Sequence, residues 1–82
     1  MNIQEFLMKY EKFLRQVCKL GESSIKDYIG RGNGLINRGI YNGESTITAT
    51  MLAEIERQYK KNSVKNYVVA LRYMIESKKK NE

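Results

Sequence analysis

Lys60, Lys61, Asn62, Ser63, Lys65 and Asn66 fall close together in the chain. They offer ammonium groups that can neutralise phosphates, and carboxamide and hydroxyl groups that can hydrogen-bond to a nucleic-acid backbone or to base edges. Asn is suited to adenine when its geometry allows two bonds. These residues open the stretch from Lys60 to Ile75, KKNSVKNYVVALRYMI, in which a basic, polar entry leads into an amphipathic pattern. Met1 to Glu56 holds seven Lys/Arg against seven Asp/Glu, whereas Arg57 to Glu82 holds eight against two, so the net charge of +6 belongs to the last third. Segregated positive charge points to an anionic partner, a nucleic-acid backbone foremost. The same charges also suit a solvated face that keeps a small bundle in solution, or a face that docks on an acidic protein.

A second candidate is the run Gly-Arg-Gly-Asn-Gly at Gly30 to Gly34. Glycines expose backbone N–H groups that can cradle phosphate, and Arg31 adds a charged fork. No Lys-Ser/Thr follows, so nucleotide hydrolysis has no support. The competing reading is structural. Each glycine costs about 1 kcal/mol relative to alanine inside a helix, which favours a kink or a split, while Gly32 falls on the apolar stripe where a neighbouring helix could approach closely.

The sequence has no histidine and one cysteine, Cys18. Cys-His and Ser-His-Asp catalysis are excluded, a zinc site would have only carboxylates to draw on, and no internal disulfide can form. The carboxylates are spaced like surface residues. No enzyme activity, cofactor, structural metal or small-molecule substrate is therefore expected, and Cys18 reads as a small hydrophobe.

One small domain with one core is what 82 residues of 41% apolar content allow. No apolar run reaches membrane-spanning length, and Met1-Asn2 through Glu5 is unlike a signal region, so a cytoplasmic protein is expected with no membrane partner. There is no proline, and helical spacing predominates, which predicts an all-α domain. Ile3, Phe6, Leu7, Tyr10, Phe13, Leu14 and Val17 share one face of a first helix, with Asn2 and Glu5 placed for a capping box and Gly21 beyond its end. Ser23 or Ser24 caps a second helix carrying Ile25, Tyr28, Ile29, Leu35, Ile36 and Ile40. Asn37 to Ser45 reads as a loop with a turn at Asn42-Gly43. Thr46 or Thr48 caps a third helix through Met51, Leu52, Ile55 and Tyr59, and Asn62 or Ser63 caps a fourth. That last helix buries Val64, Tyr67, Val68, Leu71, Met74 and Ile75. The chain thus divides into a single helical domain over residues 1–77 and a solvated basic tail over 78–82. Tyr28 and Tyr67 read as core residues with their hydroxyls at the surface.

Ser23 to Ile36, SSIKDYIGRGNGLI, and Ser63 to Ile75, SVKNYVVALRYMI, resemble the two best-defined segments of the N-terminal core-binding domain of the tyrosine recombinase, or phage integrase, family. The first is similar to that family's Ser/Thr, apolar, two variable positions and Tyr, followed by apolar residues at a helix end. The second is similar to its closing helix of Ser, apolar, Asn/Tyr, Ala-Leu-Arg and an apolar pair. The resemblance implies a four-helix SAM-like orthogonal bundle of mobile-element origin. Such a domain clamps double-stranded DNA during recombination, with helices two and four near the major groove. The matching positions are Ser24, Lys26 and Arg31 on the second helix and Lys61, Asn62, Lys65 and Asn66 on the fourth; Lys60 and Arg72 join them as basic neighbours. The Gly-Arg-Gly-Asn-Gly run is not part of the family's pattern. The family's catalytic domain, with its nucleophilic tyrosine and Arg/His/Lys cluster, has no counterpart in these residues. The resemblance therefore implies either an excised domain or a free-standing relative that binds without cutting, and no tyrosine here inherits the nucleophile's role.

Overall fold

Asn2 sets where the first helix begins: its side-chain oxygen accepts from the Glu5 amide at 3.0 Å in the computed structural model, which describes residues 1–81. Helix α1 (Ile3–Gln16) follows. The Glu5 carboxylate turns to Lys9, at 3.1 Å, so the Asn2 half of the anticipated capping box is present. Phe6, Tyr10, Phe13 and Leu14 are buried, whereas Ile3 and Val17, at the two ends of the stripe, remain 41% and 46% exposed.

Gly21 serves the next helix rather than closing this one. The chain reverses after α1 with Lys19 at φ 55°, and Gly21 becomes the N-cap of α2 (Glu22–Asn37). Ser23 and Ser24 lie inside the first turn, and no side chain caps it. Glu22 takes the place of a cap electrostatically, near the positive end of the helix dipole and paired with Arg15 of α1.

The glycine run is neither a split nor a cradle. Gly30 to Gly34 lies within one continuous helix, so its amides are drawn into the helical ladder instead of facing a ligand. Packing explains part of it. A Cβ on Gly32 would sit 3.1 Å from the Tyr10 ring and 3.2 Å from the Met74 sulfur, whereas one on Gly30 would meet nothing.

After α2 the backbone turns through Gly39 and Gly43, at φ 74° and 98°, and Asn42 ties the turn by donating from its side chain to the Gly39 carbonyl at 3.1 Å. Ile40 and Tyr41 are buried, so this loop contributes to the core. Thr48 then caps α3 (Ala49–Gln58), its hydroxyl oxygen accepting from the Met51 amide at 3.2 Å. A single 3₁₀ turn, Lys61–Ser63, leads into α4 (Val64–Lys80). Neither Asn62 nor Ser63 caps α4 with its side chain; the Ser63 amide donates to the Lys60 carbonyl at 2.8 Å and closes the turn by backbone alone.

Lys78 to Lys80 are helical rather than a loose tail, and Ser77 before them is buried. Lysines at that end complement the negative pole of the helix. Residue 82 of the expected tail lies outside the described residues. Helix α4 packs against each of the other three, and α1 packs against α2. The result is an all-α four-helix bundle around one core. Cys18 is half-buried beside it, and burial raises its thiol pKa. No helix among the described residues is long and apolar enough to cross a membrane.

Tyr10 gives the core a pH dependence. It is fully buried, with its hydroxyl donating to the Ala70 carbonyl at 3.5 Å, and burial pushes its pKa far above the ordinary tyrosine value. The folded state keeps this proton at a pH where the unfolded chain, ionising near about 10, has lost it. Stability is therefore complete below that pH and falls above it. Urea melts between pH 9 and pH 12 should show this fall, and Tyr10→Phe should flatten it; an unchanged slope in the variant would assign the dependence to other groups.

Candidate nucleic-acid interface

Tyr59 leaves α3 in an extended conformation, φ −116° and ψ 157°, which carries its ring onto the C-terminal half of α2 and the start of α4. It stacks on Tyr67 with centroids 3.7 Å apart and planes 17° from parallel. The Arg38 guanidinium carbon lies 4.5 Å from the Tyr59 centroid, and one of its terminal nitrogens donates to the Gln58 carbonyl at 3.2 Å. Gly34 lets the ring in, since a Cβ there would be 3.2 Å from the Tyr59 hydroxyl oxygen. That hydroxyl is buried with no hydrogen-bond partner among the described residues, and burial raises its pKa, with Tyr67 adding to the effect and Arg38 opposing it.

A second aromatic pair joins α2 directly to α4 further along. Tyr28 meets Tyr73 edge-on at 5.2 Å, and Arg31 lies 5.2 Å from the Tyr28 centroid. Tyr28 pairs with Tyr73 and Gly34 with Tyr67, so α2 and α4 run in opposite senses along their contact. Tyr28 and Tyr67 are half-buried against the core, as read from the sequence.

Helical rotation sorts the residues named above. Ser24 and Arg31 are seven apart on α2 and share a stripe, and Arg38, seven further on, continues it. Asn66 and Tyr73 share a stripe of α4 that faces α2, because Tyr73 touches Tyr28. Lys60, Lys61 and Asn62 are exposed on the connection at the end of this seam. Lys65 and Arg72, also exposed, occupy the next stripe of α4, turned outward by about 100° from Asn66. Lys26 does not join them. It is exposed, but lies about 200° around α2 from Ser24 and so on another face.

Arg38 was not among the residues singled out from sequence. The signal for it was present in the seven-residue spacing Ser24, Arg31, Arg38; it was hidden because the Asn- and Gly-rich stretch from Asn37 reads as loop.

Charge pairing is uneven over the surface. Ion pairs join Lys9 to Glu5, Arg15 to Glu11 and Glu22, and Arg57 to Glu54. The last holds the Glu54 carboxyl down at about 2, mainly through the Arg57 hydrogen bond. Among the described residues, none of Arg31, Arg38, Lys60, Lys61, Lys65 and Arg72 has a carboxylate within salt-bridge distance. These six line α2, the α3–α4 connection and α4, while Lys12 on α1 and Lys19, Lys26, Lys79 and Lys80 also have no ion pair among the described residues.

No protein-family model, curated protein or solved structure matches the chain. The reading of this face rests on its own geometry.

Proposed function

We propose that this domain is a cytoplasmic, non-catalytic module that binds double-stranded DNA, contacting the backbone and major groove through α2 and α4 in the manner of a recombinase core-binding domain. The observation that carries the reading is the row of cations along the α2–α4 seam, Arg31, Arg38, Lys60, Lys61, Lys65 and Arg72, none of which has a carboxylate within salt-bridge distance among the described residues. Lys60, Lys61 and Lys65 take phosphates, Asn62 and Asn66 supply hydrogen bonds, and specificity comes from only those few side chains. The rival reading, a basic face docked on an acidic protein, needs an apolar or aromatic centre. Tyr41, one of three tyrosines whose exposure would favour it, is fully buried, and Tyr59 and Tyr73 are half-buried in the seams between helices.

Combining Lys61→Ala with Lys65→Ala should weaken binding to every duplex sequence alike. It should also reduce the slope of log affinity against log salt by about 1.8, or about 0.9 for each phosphate contact removed. Electrophoretic titration across a salt series measures both. If the unmodified protein binds neither duplex nor single strands at low salt, the proposal is wrong.

A further inference from the structure

Resting on the DNA reading, we infer that Arg31 and Arg38 form a two-point phosphate clamp that selects duplex DNA over a single strand. Four of the five arginines are held in one of two ways. Arg15 and Arg57 are neutralised by carboxylates, whereas Arg31 and Arg38 lie against tyrosine rings with no carboxylate partner among the described residues.

A ring under a guanidinium orients its planar fork without consuming its charge. Arg38 spends one nitrogen on the Gln58 carbonyl, which fixes it further and leaves donors on its exposed side. The rings are themselves held, Tyr28 by Tyr73 and Tyr59 by Tyr67 and the gap over Gly34. Both forks therefore start from one stripe, Arg31 within α2 and Arg38 at its C-cap, with their backbones about 10.5 Å apart along the helix axis for seven residues.

Pre-ordered donors at a set spacing lose little freedom on binding a partner whose anions are also held at set spacings. A duplex meets that condition and a flexible single strand does not. The lysines of the α3–α4 connection, on long mobile stems, supply charge without this discrimination.

The test is Arg31→Lys combined with Arg38→Lys, which keeps the net charge and removes the planar forks. Duplex affinity should fall about tenfold, the loss of one good charge-assisted contact. Single-strand affinity should change less than twofold, and the salt slope should be retained. Equal duplex affinity in the variant and the parent, with matching urea midpoints, overturns the clamp while leaving the DNA reading in place.

A measurement on the unmodified protein separates the two ideas from the other side. In an NMR titration with inorganic tripolyphosphate, the Nε–H signals of Arg31 and Arg38 should shift while those of Arg15 and Arg57 stay. If these two shift but duplex DNA does not bind, the DNA reading fails and the clamp stands as a polyanion site; if they do not shift, the clamp is refuted.

Discussion

Gly32→Val should destabilise the domain by roughly 3 kcal/mol, while Gly30→Ala, two residues earlier in the same helix, should stabilise it by about 1 kcal/mol. Propensity treats the two sites alike, since either glycine weakens an isolated helix by a similar amount. Their surroundings decide the sign. A Cβ at Gly32 would already stand 3.1 Å from the Tyr10 ring and 3.2 Å from the Met74 sulfur, and valine adds two methyl groups to that contact. Met74 can swing its thioether aside, but Tyr10 is fully buried among core side chains and cannot turn away without opening the core. Gly30 is exposed, with nothing near its missing Cβ. Gly32→Ala should fall between the two, its propensity gain offset by the squeeze on Met74. Urea denaturation of the three variants measures the series. A Gly32→Val midpoint equal to that of the parent would mean that α2 and α4 do not approach as closely as described.

Gly30 to Gly34 also shows where local reasoning reaches its limit. Three glycines in five residues argue against a helix by propensity, yet one continuous helix runs through them because Ile25, Leu35 and Ile36 bury on its flanks and Gly32 admits its neighbours. The cap was legible where one side chain had no competitor, as with Asn2, whereas Thr46 and Thr48 both suited the third helix and Thr48 takes the place. The start of α2 was less so, because Gly21, Ser23 and Ser24 are all acceptable caps and the turn at Lys19 selects the glycine.

The interface divides in a similar way. Exposed Lys60, Lys61, Asn62, Lys65 and Asn66 could be named from residue type alone, since nothing apolar competes for them. Lys26 was grouped with Ser24 and Arg31 through the resemblance, and the helix turn places it on another face. Arg38 required knowing that Tyr59 folds back onto α2, a contact between residues far apart in the chain that no local pattern encodes.

Tyr41→Ala should be the most damaging single truncation outside the helices, costing about 3–5 kcal/mol, the range for removing a large buried ring. Sequence alone places Tyr41 in an Asn- and Gly-rich loop, where an exposed side chain is the natural expectation. The ring instead lies with no exposed surface, 5.5 Å from that of Phe6, and its hydroxyl donates to the Glu44 carbonyl at 3.0 Å. The backbone reinforces this placement, as the Ile40 and Tyr41 amides both donate to the Leu35 carbonyl, at 3.0 and 3.2 Å, and fold the loop onto the end of α2. Tyr41→Phe retains the ring and should cost about 1 kcal/mol, the net worth of one hydrogen bond. The gap between the two variants therefore measures packing. For a domain of this size, whose total stability is on the order of 4–12 kcal/mol, the alanine variant should be partly unfolded near 37 °C while the phenylalanine variant stays folded. Thermal melts followed by circular dichroism distinguish the two, and near-identical melting temperatures would show that the loop does not hold the bundle together. Because Arg38 lies between Leu35 and this turn, the same substitution should also loosen the guanidinium from Tyr59 at temperatures where the helices persist, which the Arg38 Nε–H signal would report as line broadening.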